Sequence, residues 1–211
     1  DNLNGVSGPI PVLVFSHGYG DTRTKPEFVA AARRLAANGF FVALPEHIGS
    51  NRDYQQDLAL GLNDESFDAM EFVNRPLDIS CLLDSLEQLN STEFQGRLQL
   101  NRVGLLGHSF GGYTALVASG ATVNIERLQR QCRFETDITP EQNNIGLALQ
   151  CRLLELIDSP DAIQQLTDGS LADERVGLTI TLAPVSNLFG EGGMTQIQHP
   201  VVIIGGTADM A

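Results

Sequence analysis

The stretch Val103-Gly104-Leu105-Leu106-Gly107-His108-Ser109-Phe110-Gly111-Gly112 governs the reading of this chain. Four residues rich in Val and Leu make a short strand, and Tyr113–Ser119 continues as a helical pattern. Between them a serine sits at a sharp strand-to-helix turn. Such a turn forces the serine backbone into a strained conformation and brings together the residues two positions before and after it. Only very small residues fit there, and Gly107 and Gly111 meet that need. The turn also lifts the Ser109 hydroxyl above the strand end, at the positive end of the following helix.

Working outward, four more apolar runs stand out: Pro11–Ser16, Phe40–Leu44, Val176–Leu182 and Val201–Ile204. All are continuous rather than alternating, the mark of strands buried on both faces of a parallel sheet. Helical patterns separate them. Pro26–Asn38 places Phe28, Ala31, Ala32 and Leu35 on one face, and Gly39 follows as a stop. Pro76–Leu89 places Ile79, Leu82, Leu83 and Leu86 on one face, with Pro76 and Asp78 suited to a first turn. Strand and helix in alternation predict an α/β fold with right-handed crossovers. The 211 residues read as one domain, 1–211.

Residues 121–175 break the rhythm. Thr139-Pro140-Glu141-Gln142 reads as a capped helix start, Ile145, Leu149, Leu153 and Leu156 follow at helical spacing, and Ser159-Pro160 opens another helix. An excursion this long is expected to be functional, and it reads as a helical lid. Cys132 and Cys151 flank the capped start. A bridge between them would close a loop of about 20 residues, worth roughly 3 kcal/mol in the chain-entropy model. Such a bridge needs an oxidising compartment, so a secreted or periplasmic location is expected, with a cytoplasmic one as the alternative if the thiols are free. Cys81, on its helix's apolar side, is expected to be a buried free thiol.

The pattern Gly107-x-Ser109-x-Gly111 between strand and helix is the nucleophile elbow of α/β-hydrolases. Acyl transfer builds negative charge on a carbonyl oxygen and needs preorganised N–H donors. One is expected from Phe110. The second should come from a loop after an early strand, and Phe15-Ser16-His17-Gly18-Tyr19-Gly20 occupies that place, with the Tyr19 N–H as the donor. His17 is expected to brace that loop through hydrogen bonds. His108, before the serine, reads as a packing or pocket residue rather than a proton carrier, and His47, just past the strand Phe40–Leu44, lies on the same edge of the sheet as Ser109, which leaves a direct catalytic role open. Glu46 reads as a turn residue or as the partner of His47. Tyr54, Phe189 and Met194 read as core, with an acyl-site lining as the alternative. Asn90-Ser91-Thr92 is a weak glycosylation sequon.

Val12–Asn51, with Phe15-Ser16-His17-Gly18, Ala37-Asn38-Gly39-Phe40 and Pro45-Glu46-His47-Ile48-Gly49-Ser50, resembles α/β-hydrolases of the platelet-activating-factor acetylhydrolase type. Arg75-Pro76-Leu77-Asp78-Ile79 resembles the dienelactone-hydrolase-like group, and the elbow is similar to both. The resemblance covers Pro11–Ser119 well, the last strand moderately and residues 121–175 hardly at all. It implies hydrolysis of an ester with a short or lipid-like acyl group, and it implies that His47 is a pocket or loop-bracing residue. It also implies a catalytic acid after the strand that follows the elbow, but Thr181-Leu182-Ala183-Pro184-Val185 has no carboxylate. The next strand leads into Gly205-Gly206-Thr207-Ala208-Asp209, where α/β-hydrolases in general keep the acid, so Asp209 is the expected one. An acyltransferase or thioesterase would use the same residues, and a non-catalytic binding protein could use the same scaffold.

In such enzymes the order along the chain is Ser, acid, His. Only Met210 and Ala211 follow Asp209. His199 precedes the last strand and falls ~15 Å or more from that strand's far end, on the wrong edge of the sheet. The expectation is therefore that the catalytic His lies beyond residue 211 and that terminal strands are missing from the 211 residues.

A net charge of −13, with Lys25 as the single lysine, gives no basic patch for nucleic acid or an anionic membrane. No apolar run reaches the ~18–20 residues of a membrane span. Nothing resembles a phosphate loop, a dinucleotide fingerprint or a metal cluster, so no cofactor or metal is expected. The expected partner is a small-molecule or lipid ester.

Overall fold

The computed structural model describes residues 8–60, 67–133 and 145–207. Five strands, β1 (Ile10–Ser16), β2 (Phe41–Ala43), β3 (Leu98–His108), β4 (Val176–Leu182) and β5 (Val201–Ile204), form one parallel sheet in the order β2-β1-β3-β4-β5. The chain steps from β1 outward to β2, returns across β1 to β3, and then moves on in the other direction. The order therefore reverses between β1 and β3, and in open α/β sheets ligands bind at the carboxyl ends of the strands at such a reversal.

β1 is buried on both faces because it sits inside the sheet. Val12 and Val14 face a core with Ile79, Leu83, Leu105 and Ala115. Phe15, one residue out of phase, meets Phe28 of α1 (Pro26–Ala37) with ring centroids 4.6 Å apart. Along α1 only Phe28 is buried; Ala32 and Leu35 are half-buried, and Ala31 is exposed rather than inward-facing. β3 is much longer than its apolar run, because Leu98 and Leu100 alternate with exposed Gln99 and Asn101 before the continuous part begins. β5 departs from the doubly buried expectation. Val202, Ile203 and Ile204 are 44%, 50% and 51% exposed, since β5 is the edge of the described sheet and no described helix covers it.

After α2 (Arg52–Ala59) comes the long helix α3 (Glu71–Thr92), which starts five residues earlier than Pro76 suggested. Pro76 is inside the helix and has no N–H for the Phe72 carbonyl four residues back. The buried Tyr113 hydroxyl takes that carbonyl instead, at 2.8 Å. Asp78 therefore lies beyond the first turn, free for another role. Cys81 is a free thiol but exposed: it is two residues past buried Ile79, about 200° round the helix from the apolar stripe of Ile79, Leu83 and Leu86. Asn90 is drawn to β3, donating to the Leu98 carbonyl at 3.1 Å and accepting the Leu98 N–H at 2.9 Å, so the sequon's amide is engaged.

α4 (Phe110–Ala118) is buried along its whole length. The segment that follows β3 and α4 forms α5 (Ile125–Arg133), α6 (Ile145–Cys151), a 3₁₀ turn over Arg152–Leu156, and α7 (Pro160–Asp168). The capped start at Thr139-Pro140 lies outside the described residues. Leu128, Leu149, Leu153, Leu156 and Leu166 join Phe72, Phe110 and Tyr113 in one core, so these helices are part of the packed body. Cys132 and Cys151 are bridged, with Cα atoms 5.7 Å apart. Phe189, fully buried and stacked on Tyr113, and Met194 belong to that same core.

Candidate active site

Ser109 stands at the end of β3 with φ 54° and ψ −117°, a conformation that an L-residue holds only when its surroundings enforce it. Those surroundings are visible. The Ser109 N–H donates to Leu182 O at 2.9 Å, and its carbonyl accepts from Gly112 N at 2.9 Å and Val185 N at 3.1 Å. The turn Leu182–Val185, which lacks a carboxylate, thus grips the elbow. A Cβ on Gly107 would lie 2.1 Å from Gly111 O, and one on Gly111 would lie 2.0 Å from Ser16 O. The two glycines are required by backbone contact. Phe110 opens α4, and its N–H meets no backbone acceptor among the described residues.

The loop after β1 lies directly against the elbow: a Cβ on Gly18 would come within 3.3 Å of Ser109 Cβ. Its shape is fixed from behind. His17 is buried; its Nδ1–H donates to Gly18 O at 2.8 Å and its Nε2 accepts the His47 N–H at 3.0 Å. This pattern requires a neutral ring, and burial together with the Arg75 cation lowers the His17 pKa. Gly20, at φ +69°, turns the loop away, and its N–H donates to Ser50 O at 2.9 Å. Tyr19 packs edge-on against Phe67, centroids 5.4 Å apart, and Arg152 donates to Phe67 O at 3.1 Å, which ties the helical segment to this side of the site.

His47 is fully buried. It lies between Ser16 Oγ, 2.9 Å from Nε2, and Asp78 Oδ2, 2.7 Å from Nδ1. Burial, then Arg75 and His17, hold it neutral, with its pKa well below the ordinary value. Ser-His-Asp order and spacing are present here, but Ser16 is 2% exposed and no substrate reaches it. Asp78, and not Glu46, is the carboxylate partner of His47. Glu46 accepts from Thr22 Oγ1 and Arg23 N, both at 3.0 Å. Burial and the nearby Glu71 push the Asp78 carboxyl up to about 6.

The sequence reading missed a polar stripe on α3. Glu71, Arg75 and Asp78 fall at i, i+4 and i+7, one helix face. Glu71 accepts from Ser50 Oγ, Arg75 donates to His17 O, and Asp78 holds His47. Arg75 is fully buried, its guanidinium 4.5 Å over the Phe110 ring, and burial pushes its pKa down to about 9.

The other predicted residues fall apart from one another. His108 Nδ1 is 3.7 Å from Asp21 Oδ2, and Asp21 itself pairs with Lys25 at 2.8 Å. His199 binds Thr179 Oγ1 at 2.9 Å, near the amino end of β5 and away from the strand ends that carry Ser109. Tyr54 lines a surface cavity with Arg23, Glu46 and Asn51. Asp209 lies outside the described residues. Among the described residues no imidazole hydrogen-bonds Ser109 Oγ, no group of His, Cys, Asp and Glu has metal-binding geometry, and no helix is long and apolar enough to cross a membrane.

A parallel sheet with a strained serine between strand and helix, at the reversal of strand order, is the α/β-hydrolase arrangement. Residues 3–57 match the family model of platelet-activating factor acetylhydrolase, isoform II, a span that includes the resemblance read over Val12–Asn51. Among solved structures, the chain is similar to dienelactone hydrolase from Anabaena variabilis, at 21% identity over 94% of this chain and 76% of that one, TM-score 0.42. It is also similar to acetyl xylan esterase 1 from Thermoanaerobacterium sp., at 18% identity over 95% and 69%, TM-score 0.47. A third is a carboxylesterase from Lactobacillus plantarum, at 14% identity over 96% and 74%, TM-score 0.47. No curated protein matches the chain significantly.

Proposed function

We infer that the protein is a serine hydrolase of carboxylic esters, with Ser109 as the nucleophile. The observation that carries this reading is the strained Ser109 backbone, with the Gly18 loop in contact on one side and the open Phe110 N–H on the other. Ser109 Oγ attacks the ester carbonyl as its proton passes to a histidine general base, and the C–O bond to the alcohol breaks as the tetrahedral intermediate collapses and that proton goes to the departing alcohol oxygen. The Phe110 and Tyr19 N–H groups hold the oxyanion, and water then releases the acid from the acyl-enzyme. Asp209 is the proposed acid. The substrate class is a short-chain or lipid-like ester, in keeping with the acetylhydrolase match over residues 3–57. The proposed lid is the helical segment 121–175, which Arg152 ties to Phe67 O beside Tyr19. The bridged cysteines favour an exported protein. An acyltransferase or thioesterase would run on the same residues.

Ser109→Ala tests this. The substitution removes one oxygen at a loop and should leave the fold intact while abolishing hydrolysis of p-nitrophenyl acetate; retained activity removes Ser109 from the mechanism. A second reading, a non-catalytic binding protein on this scaffold, is favoured by one observation: none of the four imidazoles hydrogen-bonds Ser109 Oγ. On that reading the wild type is as inert toward the ester as Ser109→Ala.

A further inference from the structure

We propose that Arg75 is the positioning residue that locks the two halves of the oxyanion site to one another. The proposal rests on Ser109 being the nucleophile. The two expected donors belong to separate segments, Tyr19 to the loop after β1 and Phe110 to the first turn of α4. One rigid group behind the site touches both. The Arg75 Nη2 donates to His17 O, which fixes the peptide plane between His17 and Gly18, one peptide before the Tyr19 N–H. The next peptide is held by Gly18 O, which accepts from His17 Nδ1 and from Asp21 N at 3.2 Å. On its other side the guanidinium carbon stands 4.5 Å from the centroid of the ring of Phe110, the residue that carries the second donor. A planar cation with a forked donor edge and a stacking face makes both contacts at once, and lysine does not.

Stability does not account for this residue. Arg75 is completely buried, and its Nε and Nη1 have no hydrogen-bond partner among the described residues. An apolar side chain of similar volume would fill the space without desolvating a charge. Glu71 and Asp78, on the same face of α3, help to keep the guanidinium charged. In the oxyanion site a fixed donor geometry is worth more than it is for folding, since donors displaced by a fraction of an ångström lose the developing charge.

The test compares the full chain with Arg75→Met, Arg75→Lys and Phe110→Leu. One readout is the kcat and KM for p-nitrophenyl acetate. The other is the shift of the Tyr19 and Phe110 amide protons when a fluorophosphonate reacts with Ser109. In the wild type both amides should move downfield on forming bonds to the phosphoryl oxygen. Arg75→Met should lower kcat about 100-fold with KM nearly constant, the cost expected of a misplaced catalytic group. Arg75→Lys returns a donor without the flat face and should recover part of that loss. Phe110→Leu keeps the backbone N–H but removes the ring under the guanidinium. It should diminish the Tyr19 shift although Tyr19 is on the other segment, and it reads the coupling even if Arg75→Met does not fold. Wild-type kcat in a folded Arg75 variant, or an unchanged Tyr19 shift in Phe110→Leu, overturns the proposal while leaving Ser109 in place. Absence of any Ser109 adduct in the wild type overturns the nucleophile assignment and this proposal with it.

Discussion

Tyr113→Phe deletes a single oxygen, yet it should be costly, because of a proline 37 positions earlier. The Phe72 carbonyl would ordinarily accept the N–H of residue 76, but residue 76 is proline and has none. The Tyr113 hydroxyl fills that vacancy at 2.8 Å, with Phe72 and Tyr113 both fully buried. Removing the hydroxyl strands a buried acceptor where water does not reach. Such a loss costs about 1–3 kcal/mol, more than the ~1 kcal/mol net worth of an ordinary hydrogen bond. For a chain of this size each kcal/mol moves the midpoint by about 2–4 °C. The informative partner is Pro76→Ala, which restores an N–H to the Phe72 carbonyl. In that background Tyr113→Phe should cost less, and the double-mutant cycle should show a coupling of about 1 kcal/mol or more. Urea unfolding of the four proteins, followed by circular dichroism, gives the cycle. An equal penalty for Tyr113→Phe in both backgrounds, or none in either, refutes the account of how α3 accommodates its proline.

Three further outcomes follow from the same contacts. Gly111→Ala places a methyl 2.0 Å from Ser16 O and should cost at least about 3 kcal/mol, above the usual range for overpacking because the clash is with backbone; a midpoint within 2 °C of wild type would contradict this. Thiol titration of the denatured, unreduced protein should find one thiol, Cys81, which should also react in the native state, and reducing the Cys132–Cys151 bridge should cost roughly 3 kcal/mol; three free thiols would contradict it. Asp78, pushed up to about 6 when folded against an ordinary value of 3.8, binds more protons folded than unfolded between those values, so its contribution to stability falls as pH rises from about 4 to 6. Asp78→Asn should remove that fall, and identical pH–stability slopes for the two proteins would refute the shift.

The sheet was legible in the sequence because each strand carries a continuous apolar run, and the elbow because its two glycines are forced by backbone contact. The ends of elements were less legible where one local signal opposed another. Pro76 has the form of a helix start, and that reading places Glu71 and Arg75 outside the helix. Their alignment with Asp78 appears only once the helix begins at Glu71, and with it the support behind His17 and His47. Cys81 faces solvent for a related reason: its neighbours are apolar, but two residues along a helix is more than half a turn. β3 extends beyond its apolar run because its first half alternates with solvent and only its second half is largely buried. The partnership of Asp78 with His47 spans 31 residues and has no local signature at all.

Every proposed step passes through Ser109. The most direct measurement is incubation of the protein with a fluorophosphonate, followed by mass spectrometry of the digested chain. The account predicts a single phosphonyl adduct on the peptide carrying Gly107-His108-Ser109-Phe110-Gly111, absent from Ser109→Ala. Ester hydrolysis that persists while Ser109 remains unmodified, or an adduct on another residue, would contradict it.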